Sequence, residues 1–410
     1  MGELRIRTAE PGDLGEIAEV LRSSFRIYNC IDIDADYLEK LFRTDDTVSL
    51  DSIFIVEEDG RIVSITMVVE REIRTVLGWL PFAGIANVAT HPRYRGRGYA
   101  SKLLSHIEDY YEDKGYPIIG LLAGYGEPAH RIYRRRGFYD ISYYRERILV
   151  LEDIENTASI LKKRAETPSH EPVIEPITSA SIDTLSNLYN DDIASRYYGV
   201  FKRSSRRWKG ILETGQYATW FLGNHGVGWL YDYGGRKAYS LVYPIKESIL
   251  SRCRDPSAAY ILEIAADNRH YPLVLADTLE KLYSMGVKTI YYRPPPDKEH
   301  LVEKNRLVIP DETLMAKPCD QEQFRSLMED KYDKIVAIEE HGRYYVIQYS
   351  SGTVKFTPDS LLRIVLGVTG AFEEYFNGKI KVQGNYRILL EEFSSALSYR
   401  PHYIVPTDKW

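Results

Sequence analysis

Between residues 82 and 124 the chain passes through four stretches of different character, and that order limits what it can fold into. An apolar run, FAGIANVAT (82–90), leads into HPRYRGRG (91–98), which interleaves Arg93, Arg95 and Arg97 with Gly96 and Gly98. GYASKLLSHIEDYYEDKG (98–115) then carries Ala100, Leu103, Leu104, Ile107 and Tyr111 at the spacing of one helix face and ends at Gly115. YPIIGLLAG (116–124) closes the series as a buried strand. The arginine-glycine stretch is therefore a strand-to-helix loop. Its glycines let the backbone turn tightly and approach a ligand with no Cβ in the way, and the helix behind it offers unpaired N–H groups with partial positive charge. Arginines beside such a cradle suit a pyrophosphate better than a lone carboxylate.

A length of 410 residues suits two or three domains. In the first, TAEPGDLGEIAEVLRSSF places Leu14, Ile17, Ala18, Leu21 and Phe25 at helical spacing, and SIFIVEEDGRIVSITMVVERE reads as two strands joined at Asp59-Gly60. The polar, proline-containing stretch near 153 to 175 reads as a boundary. Beyond it, residues 260–296 repeat the order strand, loop, helix, Gly286, strand, as a degenerate internal copy. The copy's loop, DNRHYPL, holds Pro272 and no glycine, so it cannot offer the same ring of N–H groups. After about residue 317 an alternating hairpin and two helical stretches form a third, α+β unit.

A formal net charge of −6 does not favour a polyanionic partner, so nucleic acid is not expected; a small cationic substrate fits the field better. Cys30, Cys253 and Cys319 are odd in number and far apart, which argues against a disulfide framework and a zinc site and points to the cytoplasm. No apolar run reaches the roughly 20 residues of a membrane span, and the N-terminus lacks a signal-peptide core. No membrane association and no metal are expected.

VATHPRYRGRGYA resembles the R-x-x-G-x-G/A signature of the GCN5-related N-acetyltransferase (GNAT) superfamily, placed as that family places it between a strand and an amphipathic helix. GEPAHRIYRRRGF is similar to the family's N-x-x-A-x-x-x-Y-x-x-x-G-F element, with Ala129, Tyr133, Gly137 and Phe138 in place and Gly126 where Asn is usual. The resemblance implies acetyl-CoA as co-substrate. It implies that the backbone of Val88, Ala89 and Thr90 pairs with the pantetheine arm and acetyl carbonyl. It assigns the pyrophosphate to Gly96, Arg97, Gly98, Tyr99, Ala100 and Ser101, flanked by Arg93 and Arg95, and makes Tyr133 the proton donor to the departing thiolate. A phenol near ~10 giving its proton to a thiolate near ~8.5 works uphill by roughly 2 kcal/mol. Arg131, Arg134, Arg135 or Arg136 would ease that by depressing the phenol's pKa if one lay close.

The layout resembles the enhanced intracellular survival (Eis) acetyltransferases: an active GNAT domain (1–153), a degenerate GNAT-like domain (154–316) and a sterol-carrier-protein-like α+β domain (317–410). That resemblance implies an α/β (α+β) fold, a homo-oligomer, and a C-terminal carboxylate, here that of Trp410, reaching the active site as proton acceptor. Aminoglycosides, polyamines and lysine-like or peptide amines are the implied acceptors. Two other readings share the loop: a non-catalytic protein binding CoA and a lipid, and a transferase of a longer acyl chain.

Three features are decoys. Asp32, Asp34 and Asp36 imitate a calcium loop, but Tyr37 stands where Gly is needed and Arg43 where the bidentate Glu is needed. His91, before Pro92, reads as a surface residue and not as a base. Gly124, Gly126 and Ala129 weakly imitate a dinucleotide fingerprint that the surrounding order does not support.

Overall fold

The computed structural model describes residues 4–143, 147–214, 216–217, 220–221, 227–246, 248–302, 312–331, 338–340, 344–349, 351–395, 400 and 402–403. The first unit runs β1 (Leu4–Thr8), α1 (Leu14–Ser24), α2 (Arg26–Cys30), α3 (Ala35–Thr44), β2 (Ile53–Glu58), β3 (Arg61–Thr75), β4 (Gly78–Thr90), α4 (Tyr99–Asp113), β5 (Ile118–Gly124), α5 (Pro128–Arg135) and β6 (Tyr139–Tyr143). β2 and β3 turn at Asp59 and Gly60, both at positive φ (52° and 76°), the geometry for which an Asp-Gly pair is favoured. α1 buries Leu14, Ile17, Ala18 and Leu21, as its spacing predicts.

β4 and β5 pair in parallel only from Phe82↔Ile118 to Ile85↔Leu121, although β4 continues to Thr90 and β5 to Gly124. The ends of the two strands thus part from one another, and α4 begins beside the opening. On its other edge β5 pairs not with β6 but with a strand from far along the chain, Glu312–Pro318, which itself pairs with β6.

A second, six-stranded sheet has the order Arg147–Val150, Thr289–Tyr292, Ala258–Ala265, Lys237–Pro244, Val227–Asp232, Val173–Pro176. Ala258–Ala265, the helix Tyr271–Ser284 and Thr289–Tyr292 repeat the local order of β4, α4 and β5, again with parallel pairing. The two sheets exchange strands across the expected cuts: Arg147–Val150, numbered within 1–153, belongs to the second sheet, and Glu312–Pro318, which straddles 316/317, belongs to the first. Nor is the stretch read as a polar boundary unstructured. Leu151–Arg164 is a helix that buries Ile154, Ala158 and Leu161 in the same core as Leu275, Leu279 and Leu282. Those three apolar residues stand four and three apart, a helical stripe masked by the charges on the other faces.

The last unit is an antiparallel sheet of Ile338–Glu340, Tyr345–Tyr349, Gly352–Phe356 and Ile380–Gly384 with helices Pro358–Val365, Ala371–Phe376 and Tyr386–Ser395. Its core, including Phe356, Leu362 and Phe393, is continuous with Phe82, Ile118 and Leu314 of the first sheet.

The first two units are locked by charge as well as by apolar packing. Asp45, just past α3, is fully buried and pairs with Arg207 (2.9 Å) of helix Ser205–Thr214 and with Arg71 (3.9 Å) of β3. At the far end, His402 bridges to Tyr198, and Tyr403 donates its N–H to the Tyr198 carbonyl (2.7 Å) and its hydroxyl to that of Arg293 (3.1 Å).

Candidate active site

The parted ends of β4 and β5 open into a cavity of about 650 Å³. Val88, Ala89 and Thr90 form one wall, Arg95, Gly96, Gly98, Tyr99, Ala100 and Ser101 its floor at the start of α4, and Ala129, Ile132 and Tyr133 of α5 the facing side. Residues read from two separated motifs, some thirty positions apart, thus meet around one space.

The loop turns through Gly96 and Gly98, at φ +79° and +80°, and apart from the adjoining residues no protein atom lies within 4 Å of where a Cβ would stand on either. Both glycines therefore present bare backbone to open space. Gly98 is also the N-cap of α4 and, having no side chain, leaves the N–H groups of the first turn for a ligand. The cradle fits a pyrophosphate, since side chains at either glycine would fill it.

Arg95 folds back and donates from Nε to the Thr90 carbonyl (3.1 Å), which also accepts from Ser24 Oγ (3.2 Å). Ser64 Oγ donates to the Ala89 carbonyl (2.8 Å), fixing the wall from behind. Arg93 and Arg97, expected beside the pyrophosphate, do not line the cavity. Arg97 pairs with Glu58 (3.1 Å) and lies over the Tyr94 ring, while the Arg93 backbone N–H donates to His91 Nδ1 (3.3 Å). His91 thus caps the turn at Pro92–Tyr94 and fills a structural place. Tyr99 lines the cavity with its ring and gives its hydroxyl to Glu58 (2.5 Å).

Tyr133 is almost wholly buried, its ring packed edge-on against Phe138 among Leu103, Leu104, Leu121 and Met315. Burial pushes the phenol up to about 12. Of the four arginines that could have pulled it down, Arg134 pairs with Asp140 (3.0 Å), and Arg136 with Glu108 (2.8 Å), Ser105 (2.8 Å) and the Ser101 carbonyl (3.1 Å). Arg136 thereby ties α5 to α4 and holds Tyr133 opposite the loop.

Sequence reading missed Ser24, Phe25, Tyr94, Leu104, Glu127, Pro128 and Ile132 as lining residues. Only topology brings the end of α1 here; Tyr94 and Glu127, inside the quoted motifs, were within reach. Gly126, where Asn is usual, adopts φ +80° and makes the turn into α5. Asp34 caps α3 by accepting from the Tyr37 N–H (2.8 Å), and Asp32 pairs with Arg252 (2.7 Å). Trp410 lies outside the described residues.

The model for the acetyltransferase (GNAT) domain family matches residues 5–141, the stretch that contains both motifs and the cavity. Residues 5–141 form a GNAT acetyltransferase domain. Over 149 residues, 35% of this chain and 81% of the relative, the chain is 28% identical to an S-alkylcysteine N-acetyltransferase of Bacillus subtilis (strain 168). Three solved structures share the fold of nearly the whole chain. A conserved protein of unknown function from Enterococcus faecalis V583 has a TM-score of 0.69 at 14% identity, covering 99% of both chains. A GCN5-related N-acetyltransferase from Anabaena variabilis has 0.65 at 12%, covering 98% of this chain and 99% of that one. Eis1 from Mycobacterium abscessus has 0.57 at 12%, covering 99% and 100%. The chain is thus an N-acetyltransferase with a GNAT domain at its head. Among the described residues, no helix is long and apolar enough to cross a membrane and no group of His, Cys, Asp and Glu is arranged to hold a metal.

Proposed function

We propose that the protein transfers an acetyl group from acetyl-CoA to the primary amine of a small molecule or peptide: an aminoglycoside, a polyamine or a lysine-like acceptor. The observation that carries this reading is the convergence of the Gly96–Ser101 loop, the β4 end and Tyr133 on one cavity. In this reading the loop and the start of α4 hold the pyrophosphate, the Val88–Thr90 wall aligns the pantetheine arm, and Tyr133 delivers a proton to the leaving sulfur. Release of free thiol from acetyl-CoA over a panel of amines, with mass-spectrometric identification of the acetylated product, tests it. CoA binding without turnover on any amine would instead favour a non-catalytic binding protein. Gly98→Asp is expected to weaken CoA binding at least ~10-fold by calorimetry, because it adds a carboxylate and a strained side chain where the pyrophosphate sits.

The second sheet reads as a non-catalytic copy. Where α4 begins at bare glycine, the helix Tyr271–Ser284 is preceded by Asp267, whose carboxylate accepts the N–H groups of Arg269 (3.0 Å) and His270 (2.9 Å). Burial opposes ionisation of Asp267, yet the backbone and ring of His270 and the Arg236 guanidinium hold its carboxyl down to about 2. The copy thus carries its own anion in place of a phosphate. The α+β unit at 317–410 reads as the sterol-carrier-like part, the cytoplasm as the compartment, and a homo-oligomer as the assembly.

For the amine's proton the reading takes the carboxylate of Trp410. His402 and Tyr403 are anchored to the core that also holds Phe25 and Ala89, and the residues beyond them reach at most roughly 25 Å. A carboxylate near ~3.5 cannot deprotonate an ammonium near ~10.4 outright, so it orients the amine and takes its proton only as bond formation makes the nitrogen acidic. Appending two residues after Trp410 is expected to lower kcat/KM by about 10²-fold with acetyl-CoA binding and Tm barely changed. A folded, fully active extended chain would return the search to side chains or water.

A further inference from the structure

Cys30 and Cys253 are 223 positions apart in sequence and meet in the fold. Cys30 closes α2 in the first unit; Cys253 follows the single turn Ile249–Arg252 in the second. The ion pair of Asp32 with Arg252 (2.7 Å) clips these two segments together immediately beside the thiols. Both cysteines are partly exposed and pack on one core with Ile31, Leu250 and Phe25. Burial, and then a hydrogen bond and charge repulsion from the Cys30 thiol, push the Cys253 thiol up to about 11, while Arg254 and Arg26 pull the other way. The two thiols are therefore neighbours beside the Asp32–Arg252 clip, on two segments that no backbone strand pairing joins, and within reach of solvent.

We infer that Cys30 and Cys253 form a reversible disulfide that staples the first unit to the second when the protein meets a peroxide. The chemistry balances with hydrogen peroxide as oxidant. The Cys30 thiolate attacks one peroxide oxygen and becomes a sulfenic acid, releasing hydroxide that leaves as water. The sulfur of Cys253, protonated at neutral pH until this step, displaces the second oxygen as another water. Two thiols lose two protons and two electrons, and one peroxide becomes two waters. Cys319 takes no part: it lies in a different core, its thiol faces the Glu108 carbonyl (3.7 Å), and burial pushes it up to about 12.

The staple reaches the cavity. α2 directly follows Ser24 and Phe25, which line it, and Tyr28 of α2 donates its hydroxyl to Asn87 Oδ1 (2.6 Å) in β4, where Asn87 sits at φ 52°. Closing the disulfide fixes the segment between the cavity wall and the second unit. The consequence for catalysis rests on the acetyl-transfer reading; the cross-link does not.

The experiment uses the full chain, treated with hydrogen peroxide and denatured without reductant. A loss of about 2 Da in intact mass and one linked peptide pair containing Cys30 and Cys253 are expected, both reversed by dithiothreitol. Cys319→Ser should cross-link as the wild type does, and Cys30→Ser should not. In the folded oxidised protein, amide exchange across Ser24–Asp32 should slow. The wild-type measurement needs no variant to fold. Thiols that stay free, single cysteines that carry oxygen adducts with no linked pair, or a bridge through Cys319 or between chains would each overturn the inference, whatever the activity assay shows.

Discussion

Tyr133→Phe is expected to lower kcat by roughly 10²- to 10³-fold while leaving acetyl-CoA affinity unchanged. The substitution removes one hydroxyl from a side chain whose ring is held by Leu103, Leu104 and Phe138, so packing survives. Taken at face value, a phenol near 12 donating to a thiolate near ~8.5 works uphill by about 5 kcal/mol. The same dry surroundings raise the proton affinity of a thiolate formed there, so the gap narrows at the moment of transfer. A phenol raised by burial also stays protonated through the neutral and mildly alkaline range. The rate should therefore rise with pH as the acceptor amine loses its proton, with no loss from Tyr133 below about pH 12. Stopped assays from pH 6 to 10 on both proteins read this directly. A variant with wild-type kcat would show that the thiolate departs unaided, and an alkaline loss of rate near pH 8 with a folded enzyme would put the donor elsewhere.

Asp45→Asn is expected to destabilise the protein by about 3–5 kcal/mol, because it leaves the guanidiniums of Arg207 and Arg71 buried without their anion. Burial works against ionisation of Asp45, but the charges of Arg207 and Arg71 and the hydrogen bonds from Thr47 outweigh it and hold the carboxyl below the usual range. A folded pKa below the unfolded one means that the unfolded chain binds more protons as pH falls. The contribution is therefore complete above the unfolded value near ~3.9 and is lost as pH drops through the lower folded value. Urea unfolding at pH 7 and pH 5 should show the same deficit for the variant relative to wild type, and a deficit well under 1 kcal/mol would mean that the two arginines find other partners.

The local part of this structure was legible because its signals are local. The loop at 93–98 announces itself by glycines whose positive φ few other residues tolerate, the hairpin by Asp59-Gly60, and Tyr133 by its distance from Gly137 and Phe138. The helix Leu151–Arg164 was obscured because its charged residues outnumber the stripe of Ile154, Ala158 and Leu161 that decides its fate. The direction taken by the Arg97 side chain was hidden for a related reason. A sequence shows that an arginine is near a loop but not that Glu58, on a neighbouring strand, will claim it first. The meeting of Cys30 with Cys253, and the passage of Glu312–Pro318 into the first sheet, depend on the path of the whole chain, which no window of sequence contains.

That last passage decides when the catalytic sheet can be finished. β5, the parallel neighbour of the strand that walls the cavity, has its outer edge covered by Glu312–Pro318, and β6 reaches the sheet only through that strand. The ribosome delivers it about 175 residues after β6, a delay of roughly 10–35 s at 5–20 residues per second. Until then the nascent head of the protein exposes a bare sheet edge and the apolar faces that Leu314 and Met315 will cover. A polypeptide stopped after β6 would contain every residue of both motifs and still lack the strand that lies between β5 and β6, so a cut at the sequence-family boundary leaves the acetyltransferase sheet incomplete.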